Sequence, residues 1–465
     1  MSSAQFGEEE GLNSGPEDSY ENEEVTATVA PQKRSKLSKK ELLKPPTNEE
    51  LNQLRETENL FHSNLFRLQI EEMFNEIKIK ERHAVIFQEW FKNISAFLND
   101  LENLKAKEMP CRKWLKKLGM KMPLKQLSAE VSGVFLFAKP AAVKLIGSYA
   151  NGCCVGPNIR ADVLIQMPRK CFQRGDPLNY KYFYKRALYL TYLAAKLKQS
   201  DLVEEVKFAH GHGIANRPVL IVKPSGKLGK RFTVVMNLAP PPKCFKHHVF
   251  SPLKSNVQEN WYLGGDGSEE VETGPPTPHY NSGILMDLTV HENEEILSNA
   301  LSENQNLKDG IKLLKIWLHQ RELDEGYGSF SAYIMSMYVV YLMQERRLSN
   351  LMSSYQVVRT VWNCLATSDW TTKGISLAEA LKNKEWIPLD NFHQQFEVVF
   401  VDATGFYNLC ATMSKSTFLR VKHESQLAVK CLDNPNLNSF QALFMTKVQF
   451  YQQFDHIITN TRVWS

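Results

Sequence analysis

The residues with the clearest chemical potential are a Gly-Ser pair and an aspartate, placed next to two short β-forming runs. The run Val143–Ile146 ends directly in Gly147 and Ser148, and Asp162 opens a second run, Asp162–Ile165. A Gly-Ser turn allows backbone N–H groups to approach a triphosphate closely. Carboxylates at alternate positions of a strand share a face and can hold two divalent ions for phosphoryl transfer. The pattern predicts phosphate chemistry or, more simply, a turn and an aspartate at a strand start.

The carboxylate set that such chemistry needs is incomplete. Two residues after Asp162 the chain carries Leu164, which cannot ligate Mg²⁺. A third carboxylate would lie on a later strand, and the run Phe232–Leu238 places Asn237 near the expected position. No Asp or Glu occurs anywhere between Lys207 and Gln258. The sequence therefore predicts a vestigial motif in a chain that is not an enzyme, with no metal and no cofactor.

Positive charge is concentrated in the same acid-free stretch. The whole chain has 56 Lys and Arg against 51 Asp and Glu, a net charge of +5, whereas the stretch alone carries nine positive charges. Local basicity of this kind is typical of phosphate-binding surfaces, so we predict RNA binding here, with a solvated face as the alternative. The candidate RNA-binding residues are Lys207, Arg217, Lys223, Lys227, Lys230, Arg231, Lys243, Lys246 and Lys254.

A further basic stripe lies on a helical pattern later in the chain. Lys308, Lys312 and Lys315 follow one another at steps of four and three residues, and His319 comes four residues later. They share one helix face, opposite the face that contains Trp317. The stripe predicts a phosphate contact by the three lysines or, as the simpler alternative, a solvent-exposed face.

The first 46 residues divide by charge. Residues 1–24 hold eight acids and no Lys or Arg, a composition that cannot bury enough apolar surface to fold alone. From Lys33 to Lys44, six Lys or Arg accompany a single Glu. Short basic runs of this kind are typical of nuclear-localisation or nucleic-acid segments, with a solvated linker as the alternative. The predicted import signal consists of Lys33, Arg34, Lys36, Lys39 and Lys40.

Cysteine spacing and hydropathy predict a reduced intracellular protein that does not enter a membrane. The eight cysteines include no C-x-x-C pair, so neither a zinc pattern nor a dense disulfide framework is expected. The acidic N-terminus has no apolar segment of the kind that a signal peptide needs. The longest uncharged stretch, Gly326–Gln344, could span a bilayer by length, but its Ser, Tyr and Gln residues favour a buried core helix.

The elements that must position these residues form an α+β part followed by a mainly helical part. Five β-type runs surround a helical pattern at Asn179–Gln199, and a Gly- and Pro-rich loop over Gly264–Pro278 ends this part. The runs are Gly133–Ala138, Val143–Ile146, Asp162–Gln166, Val219–Lys223 and Phe232–Leu238. Later patterns predict helices at Glu292–Gln305, Leu307–Leu323, Ser329–Glu345, Ser354–Thr367 and Lys415–Leu432, with a strand at Glu397–Asp402.

Two amphipathic helices are expected before the sheet. The first should begin after Thr47, which has capping-box spacing to Glu50, and run to about Lys80. The second fits Glu81–Glu102. The predicted organisation is a tail (1–46), N-terminal helices (47–130), an α+β domain (131–278), a helical domain (279–432) and the start of a further module (433–465).

The two main parts resemble consecutive domains of one superfamily. The strand, Gly-Ser turn and acid-bearing strand resemble the signature of polymerase-β-like nucleotidyltransferases. The segment from Asn306 to Gln344 resembles the helical domain of poly(A) polymerases, oligoadenylate synthetases and class I CCA-adding enzymes. The matching residues are Lys315, Trp317, Gly328, Ser329 and Ser331. The resemblance implies an α+β fold with a mixed, degenerate nucleotidyltransferase-type sheet, followed by a poly(A) polymerase/oligoadenylate synthetase-like helical domain.

A narrower resemblance covers about Ser38 to Asp455. The segments TNEELNQLRETENLFHSNLFRLQIEE, GSYANGCCVGPNIRADVLIQMPR and PPTPHYNSGILMD, together with the Trp317 helix, are similar to the nucleolar RNA-associated protein (Nrap) family. Members of that family are longer and repeat the pair of modules, so the chain resembles their N-terminal part.

The family resemblance implies a function without catalysis. It implies an RNA-binding scaffold in the nucleus and nucleolus, acting in pre-rRNA processing and small ribosomal subunit assembly. The implied partners are pre-rRNA and other ribosome-biogenesis proteins of the small-subunit processome, with no membrane. Two alternatives remain open, an active RNA nucleotidyltransferase and a pure protein-interaction module whose basic stretch binds an acidic partner.

Overall fold

The structure is a computed structural model, and it describes residues 65–124, 131–258, 274–383, 386–434, 436–448, 456 and 458. These residues belong to one compact unit, Asn59–Ser465. The acidic and basic tail, the predicted import signal, the start of the first helix and most of the Gly- and Pro-rich loop lie outside the described residues.

A five-stranded mixed sheet forms the centre of the first domain. Its strand order is β3-β4-β7-β6-β5; β4 and β7 are parallel, and the other neighbours are antiparallel. The parallel pair is possible because a long crossover containing a helix joins β4 to the later strands. The strands are β3 Ala142–Ile146, β4 Ile159–Gln166, β5 Val203–His210, β6 Pro218–Pro224 and β7 Phe232–Ala239. A separate two-stranded sheet pairs β1 Lys107–Glu108 with β2 Val134–Phe135.

The helices of this domain cover the sheet with apolar surface. Helix Lys181–Leu197 has 14 of its 17 residues buried, and its two buried charges, Lys185 and Arg186, are paired with Asp176 and Asp287. Near the chain start, the Phe87 ring stacks on the Phe232 ring of β7 at 4.5 Å. The helices are α1 (described over 65–77), α2 Glu81–Asn99, α3 Arg112–Leu118, α4 Gly147–Ala150 and α5 Lys181–Leu197.

The second domain is built almost entirely of helices around three buried tryptophans. Trp317 packs against Trp362 at 5.5 Å, and Trp370 stacks on Phe418 at 4.9 Å. Two short strands, β8 Ile375–Ser376 and β9 Phe400–Val401, pair in parallel. The helices are α6 Pro278–Leu288, α7 Val290–Leu301, α8 Gln305–Gln320, α9 Ala332–Gln344, α10 Ser354–Thr367, α11 Leu377–Ala380, α12 Leu389–His393 and α13 Lys415–Asp433.

The predicted fold class, an α+β domain with a mixed sheet followed by a helical domain, is confirmed. Several elements were not predicted, among them strand β5 and helix α6. Two predicted strands are much shorter than expected: only Val134–Phe135 and Phe400–Val401 are paired in the structure. Within the described residues, no helix has the length and apolar character needed to cross a membrane, and the stretch proposed as a core helix forms buried α9.

Candidate functional site

The three positions that would carry metal-binding carboxylates lie side by side on two neighbouring strands. Asp162 and Leu164 are on β4, and the parallel register pairs Leu164 directly with Asn237 of β7. Asp162 pairs in turn with Ile146, the last residue before the Gly-Ser turn. All three side chains line a cleft of about 1380 Å³ between the sheet and the helical domain. The strand pairing therefore places these three positions as the ligands of a two-metal site would be placed.

The donor set at these positions does not fit two divalent ions. Leu164 is 3% exposed and offers no ligand atom. The Oδ1 atom of Asn237 is buried without a hydrogen-bond partner among the described residues, and an amide is a much weaker ligand than a carboxylate. Asp162 is the one acid, and Arg160 on the same strand donates to its Oδ1 from Nε at 3.3 Å and from Nη2 at 3.2 Å. The guanidinium neutralises the charge that a metal would need.

The Gly-Ser turn is also engaged, by a carboxylate. Gly147 has φ +69°, a conformation that favours glycine, and its backbone N–H donates to Glu294 Oε2 at 3.0 Å. Asn151 Nδ2 donates to the same oxygen at 3.4 Å. Glu294 belongs to α7, so the helical domain supplies an anionic group to the amide that could otherwise bind a phosphate.

The basic stripe of α8 lies against this turn. Lys315 donates from Nζ to Ser148 Oγ and to the Cys153 carbonyl oxygen, both at 2.9 Å. Burial lowers the pKa of Lys315 because the charged amine loses hydration. Lys312 pairs with Asp309 at 2.9 Å. The three predicted lysines are half-buried, so the stripe is not an open solvent face. His319, its last member, is exposed.

The burial of Glu294 leads to a prediction about stability and pH. Burial raises the pKa of this carboxyl above its ordinary value of 4.5. As the pH rises through and above 4.5, the unfolded chain ionises first, so the folded state loses stability up to its own raised pKa. Glu294→Gln keeps an acceptor for Gly147 and removes the charge. We expect it to raise the free energy of unfolding at pH 7.5 by about 0.5–1.5 kcal/mol, as for one buried polar group.

Urea unfolding at pH 7.5 and pH 4.0 measures this effect. The gain should shrink at pH 4.0, where Glu294 is mostly protonated in both states. Glu295→Gln, an exposed neighbour on the same helix, is the matched control and should change little at either pH. A Glu294→Gln protein that is less stable than the parent at pH 7.5 would contradict the prediction.

The predicted RNA-binding residues do not form one patch. Strand β7 is about 23 Å long at about 3.3 Å per residue, and it separates two groups that we name the turn cluster and the post-strand cluster. The turn cluster precedes β7 and the post-strand cluster follows it. All six side chains are exposed. They are Lys227, Lys230 and Arg231 in the turn cluster, and Lys243, Lys246 and Lys254 in the post-strand cluster.

The turn cluster lies beside further positive charge at the start of α2. Burial lowers the pKa of His83, and the nearby charges of Arg231, Arg82 and Lys80 lower it further. These three basic groups come from two different parts of the chain and act on one imidazole. The turn Leu228–Lys230 also contacts helix α2, so the turn cluster adjoins the positive charge at the start of that helix.

Two other members of the set are partly neutralised. Lys207 and Lys223 both form ion pairs with Glu205, the latter at 2.9 Å. Glu205 lies just before the acid-free stretch, so counting charges within the stretch overlooks it. The pairing of β5 with β6 places Lys223 opposite this acid, and Lys207 lies two residues after it on the same face of β5.

Arg217 is a correction to the predicted RNA-binding set. It is 5% exposed, and its Nε and Nη2 donate to Asp287 Oδ1 at 2.9 and 2.7 Å. Arg186 Nε and Tyr182 Oη donate to the other oxygen of Asp287 at 2.8 and 2.9 Å. Asp287 lies on α6, so this buried cluster joins the two domains. An arginine with this role cannot contact RNA without leaving a buried aspartate underpaired.

Sequence reasoning missed the groups that occupy the site. Arg160 could have been found, because strand alternation places it on the face of Asp162. Glu294 and Asp287 gave no signal, since their partners in the first domain lie 70 to 147 residues away in the sequence.

The fold is shared with RNA-extending polymerases. A crystal structure of the Cid1 poly(U) polymerase with bound MgGTP aligns with 83% of this chain and 100% of its own, at a TM-score of 0.50 and 12% sequence identity. At this identity the match shows the fold alone: a nucleotidyltransferase-type sheet with an attached helical domain.

Sequence comparison gives the family. The models "Nrap protein domain 1" and "Nrap protein PAP/OAS-like domain" match residues 102–303 and 306–447, and the chain belongs to the Nrap family. The relative named Nucleolar protein 6 from Xenopus laevis is 40% identical over 92% of this chain, and its Homo sapiens counterpart is 42% identical over 91%. The chain spans 37% of the length of each. This membership makes it a nuclear, nucleolar protein.

Proposed function

We propose that the chain is a noncatalytic RNA-binding scaffold that acts in nucleolar pre-rRNA processing and small ribosomal subunit assembly. The observation that carries the noncatalytic part is the composition of the three adjoining positions. Asp162, Leu164 and Asn237 offer one carboxylate where two-metal phosphoryl transfer uses several.

The other groups in the cleft support the same conclusion. Arg160 neutralises the remaining carboxylate, and Glu294 fills the acceptor place at the Gly147 amide. A triphosphate at this turn would meet the Glu294 carboxylate, and like charges in a partly buried site repel strongly. Lys315, which could attract a phosphate, already donates to two oxygens of the protein.

RNA binding is proposed for the exposed basic surface rather than for the cleft. The turn cluster and the neighbouring basic residues of α2 could contact phosphates, which would give affinity with weak sequence preference. The proposed partners are pre-rRNA and other ribosome-biogenesis proteins of the small-subunit processome. Two features support them: the family membership and the position of positive charge on the surface.

The competing function is an active RNA nucleotidyltransferase, which is favoured by the order of Gly147, Ser148 and Asp162 within a nucleotidyltransferase-type fold. The test is incorporation of labelled UTP or ATP into an RNA oligonucleotide with Mg²⁺ or Mn²⁺, next to an active poly(U) polymerase as a positive control. We expect no incorporation above background. Turnover that Asp162→Ala abolishes would overturn the noncatalytic proposal.

Nuclear entry is proposed through the basic segment near the N-terminus. Replacing its five predicted residues, Lys33, Arg34, Lys36, Lys39 and Lys40, by alanine should leave a fluorescently tagged protein in the cytoplasm. Undiminished nuclear fluorescence in a short tagged peptide that carries the same five replacements would refute the assignment, because such a peptide has no folded domain through which a partner could import it.

A further inference from the structure

The lining of the interdomain cleft is acidic, although the chain as a whole is basic. Six carboxylates and three basic side chains line it, so the lining has an excess of three negative charges when its histidines are neutral. The acids come from the first domain, from α7 and from the loop after α8. They are Glu72, Glu76, Asp162, Glu294, Asp324 and Glu325; the basic residues are Arg160, Arg217 and Lys315.

The three basic side chains are already committed within the protein. Arg160 pairs with Asp162, and Arg217 pairs with buried Asp287. Lys315 is held by a hydroxyl and a carbonyl oxygen. At the rim the negative groups are more open. Glu325 is 72% exposed, and its Oε1 lies 3.7 Å from His319 Nδ1.

The unsatisfied polar atoms of the cleft are all acceptors. Among the described residues, two side chains that line the cleft have a buried polar atom without a hydrogen-bond partner, Asn237 Oδ1 and Gln320 Oε1, whereas Asp324 Oδ1 lies 3.5 Å from His319 Nδ1. Gln320 donates from Nε2 to the Phe444 carbonyl oxygen, which fixes its own carbonyl as the free atom. Buried acceptors are usually satisfied, so their natural complement is a ligand rich in N–H donors. A phosphate group would bring only more acceptors.

An exposed aromatic ring stands at the same rim. Tyr327 is 64% exposed and lines the cleft, between Gly326 and Gly328. Its backbone packs against Gly213 of the first domain, where an added Cβ would lie 3.3 Å from Tyr327 Cα. An exposed tyrosine next to carboxylates favours the flat guanidinium of arginine or the stem of lysine, because rings attract cations over their faces.

We propose that the interdomain cleft binds an arginine- or lysine-rich peptide segment of a partner protein, with a cationic side chain seated between Asp324, Glu325 and Tyr327. The cleft repels RNA, which stays on the outer basic surface. This site goes beyond the scaffold function proposed above and does not depend on it, since neither the turn cluster nor the post-strand cluster lines the cleft.

The experiment measures anisotropy of a fluorescein-labelled 12-residue peptide of alternating Arg and Ser, titrated with the full 465-residue chain. We expect binding, and none by a matched Glu-Ser peptide. The variant Asp324→Asn with Glu325→Gln removes two charges without changing shape. It should weaken binding about tenfold or more, because both charges that would face the cationic side chain are lost.

The matched control is Glu303→Gln with Glu345→Gln, two exposed acids that do not line the cleft. It should weaken binding less than twofold. The acidic N-terminal tail is common to all variants, so its attraction for the peptide cancels in the comparison. Equal weakening by the two double variants would mean nonspecific attraction and would overturn the proposal.

A second measurement does not depend on a variant that removes charge. A photoreactive benzoylphenylalanine at the exposed Tyr327 position should crosslink the Arg-Ser peptide, and unlabelled oligouridylate should not prevent it. Crosslinking of the oligouridylate itself, with displacement of the peptide, would overturn the proposal and assign the cleft to RNA.

Discussion

Replacing Asp287 by alanine is expected to lower the free energy of unfolding by about 3–5 kcal/mol, because it leaves two arginines buried without a counter-charge. Arg186 and Arg217 are 0% and 5% exposed. Both donate to the Asp287 carboxylate, as does the Tyr182 hydroxyl. A loss of this size is a large part of the stability of an ordinary domain.

Urea unfolding of the full chain measures the loss. The exposed pair between Arg359 and Asp433 provides the control, since its side chains are 41% and 52% exposed. Asp433→Ala should cost less than about 1 kcal/mol, because solvent screens exposed ion pairs. If the two alanine variants lost similar stability, the buried cluster around Asp287 would not be a major contact between the two domains.

The second large effect is expected in RNA binding. Replacing Lys227, Lys230 and Arg231 by alanine should flatten the dependence of log K on log salt by about 2, at about 0.7 per phosphate contact on single strands. Binding at 0.1 M salt should then fall about a hundredfold. The three side chains are exposed, so the fold should survive, and circular dichroism checks this.

The post-strand cluster supplies a control of equal charge. Replacing Lys243, Lys246 and Lys254 by alanine removes three positive charges at the opposite end of β7. We expect a smaller change in slope, because the turn cluster adjoins the basic start of α2. A larger change in slope for the post-strand cluster than for the turn cluster would place the RNA-binding surface at the other end of β7. An unchanged slope in both variants would mean that RNA does not bind through the acid-free stretch.

The elements with strong local signals could be predicted from the sequence. Helix α10 begins and ends at Ser354 and Thr367 as predicted; its start is fixed by Ser353, which forms a capping box with Gln356. Strands β6 and β7 differ from prediction by a residue at most at each end, because short runs that are mostly apolar and rich in Val, with Pro at one or both ends, are typical of buried strands.

The missed elements lacked such patterns. Strand β5 (VEEVKFAH) lies at the sheet edge with both faces half-exposed, so its charges do not alternate with apolar residues. Helix α6 is buried almost all round and contains the buried polar residues Asn281 and Asp287, which hide any amphipathic face.

The candidate site was predicted in its strand positions but not in its contacts. The order of Gly147, Ser148 and Asp162, and the lack of an acid near Asn237, could be read locally because they depend on strand spacing. Arg217 was misassigned because a charge count gives the same weight to a buried and an exposed arginine. Glu294 could not be found, because its contact with Gly147 spans 147 residues and exists only when the domains pack.

The pairing of Leu164 with Asn237 has a consequence for the routes open to descendants of this sequence. Leu164→Asp alone would place a carboxylate at a position that is 3% exposed and lies two residues from Asp162 on the same face of the strand. The new carboxylate would lose hydration and would be repelled by Asp162, and without a third carboxylate no bound metal would offset this cost. Asn237→Asp alone meets the same obstacle from the neighbouring strand. Each single substitution toward a metal site is therefore expected to cost stability without completing a set of ligands. A site with three carboxylates would require both substitutions together.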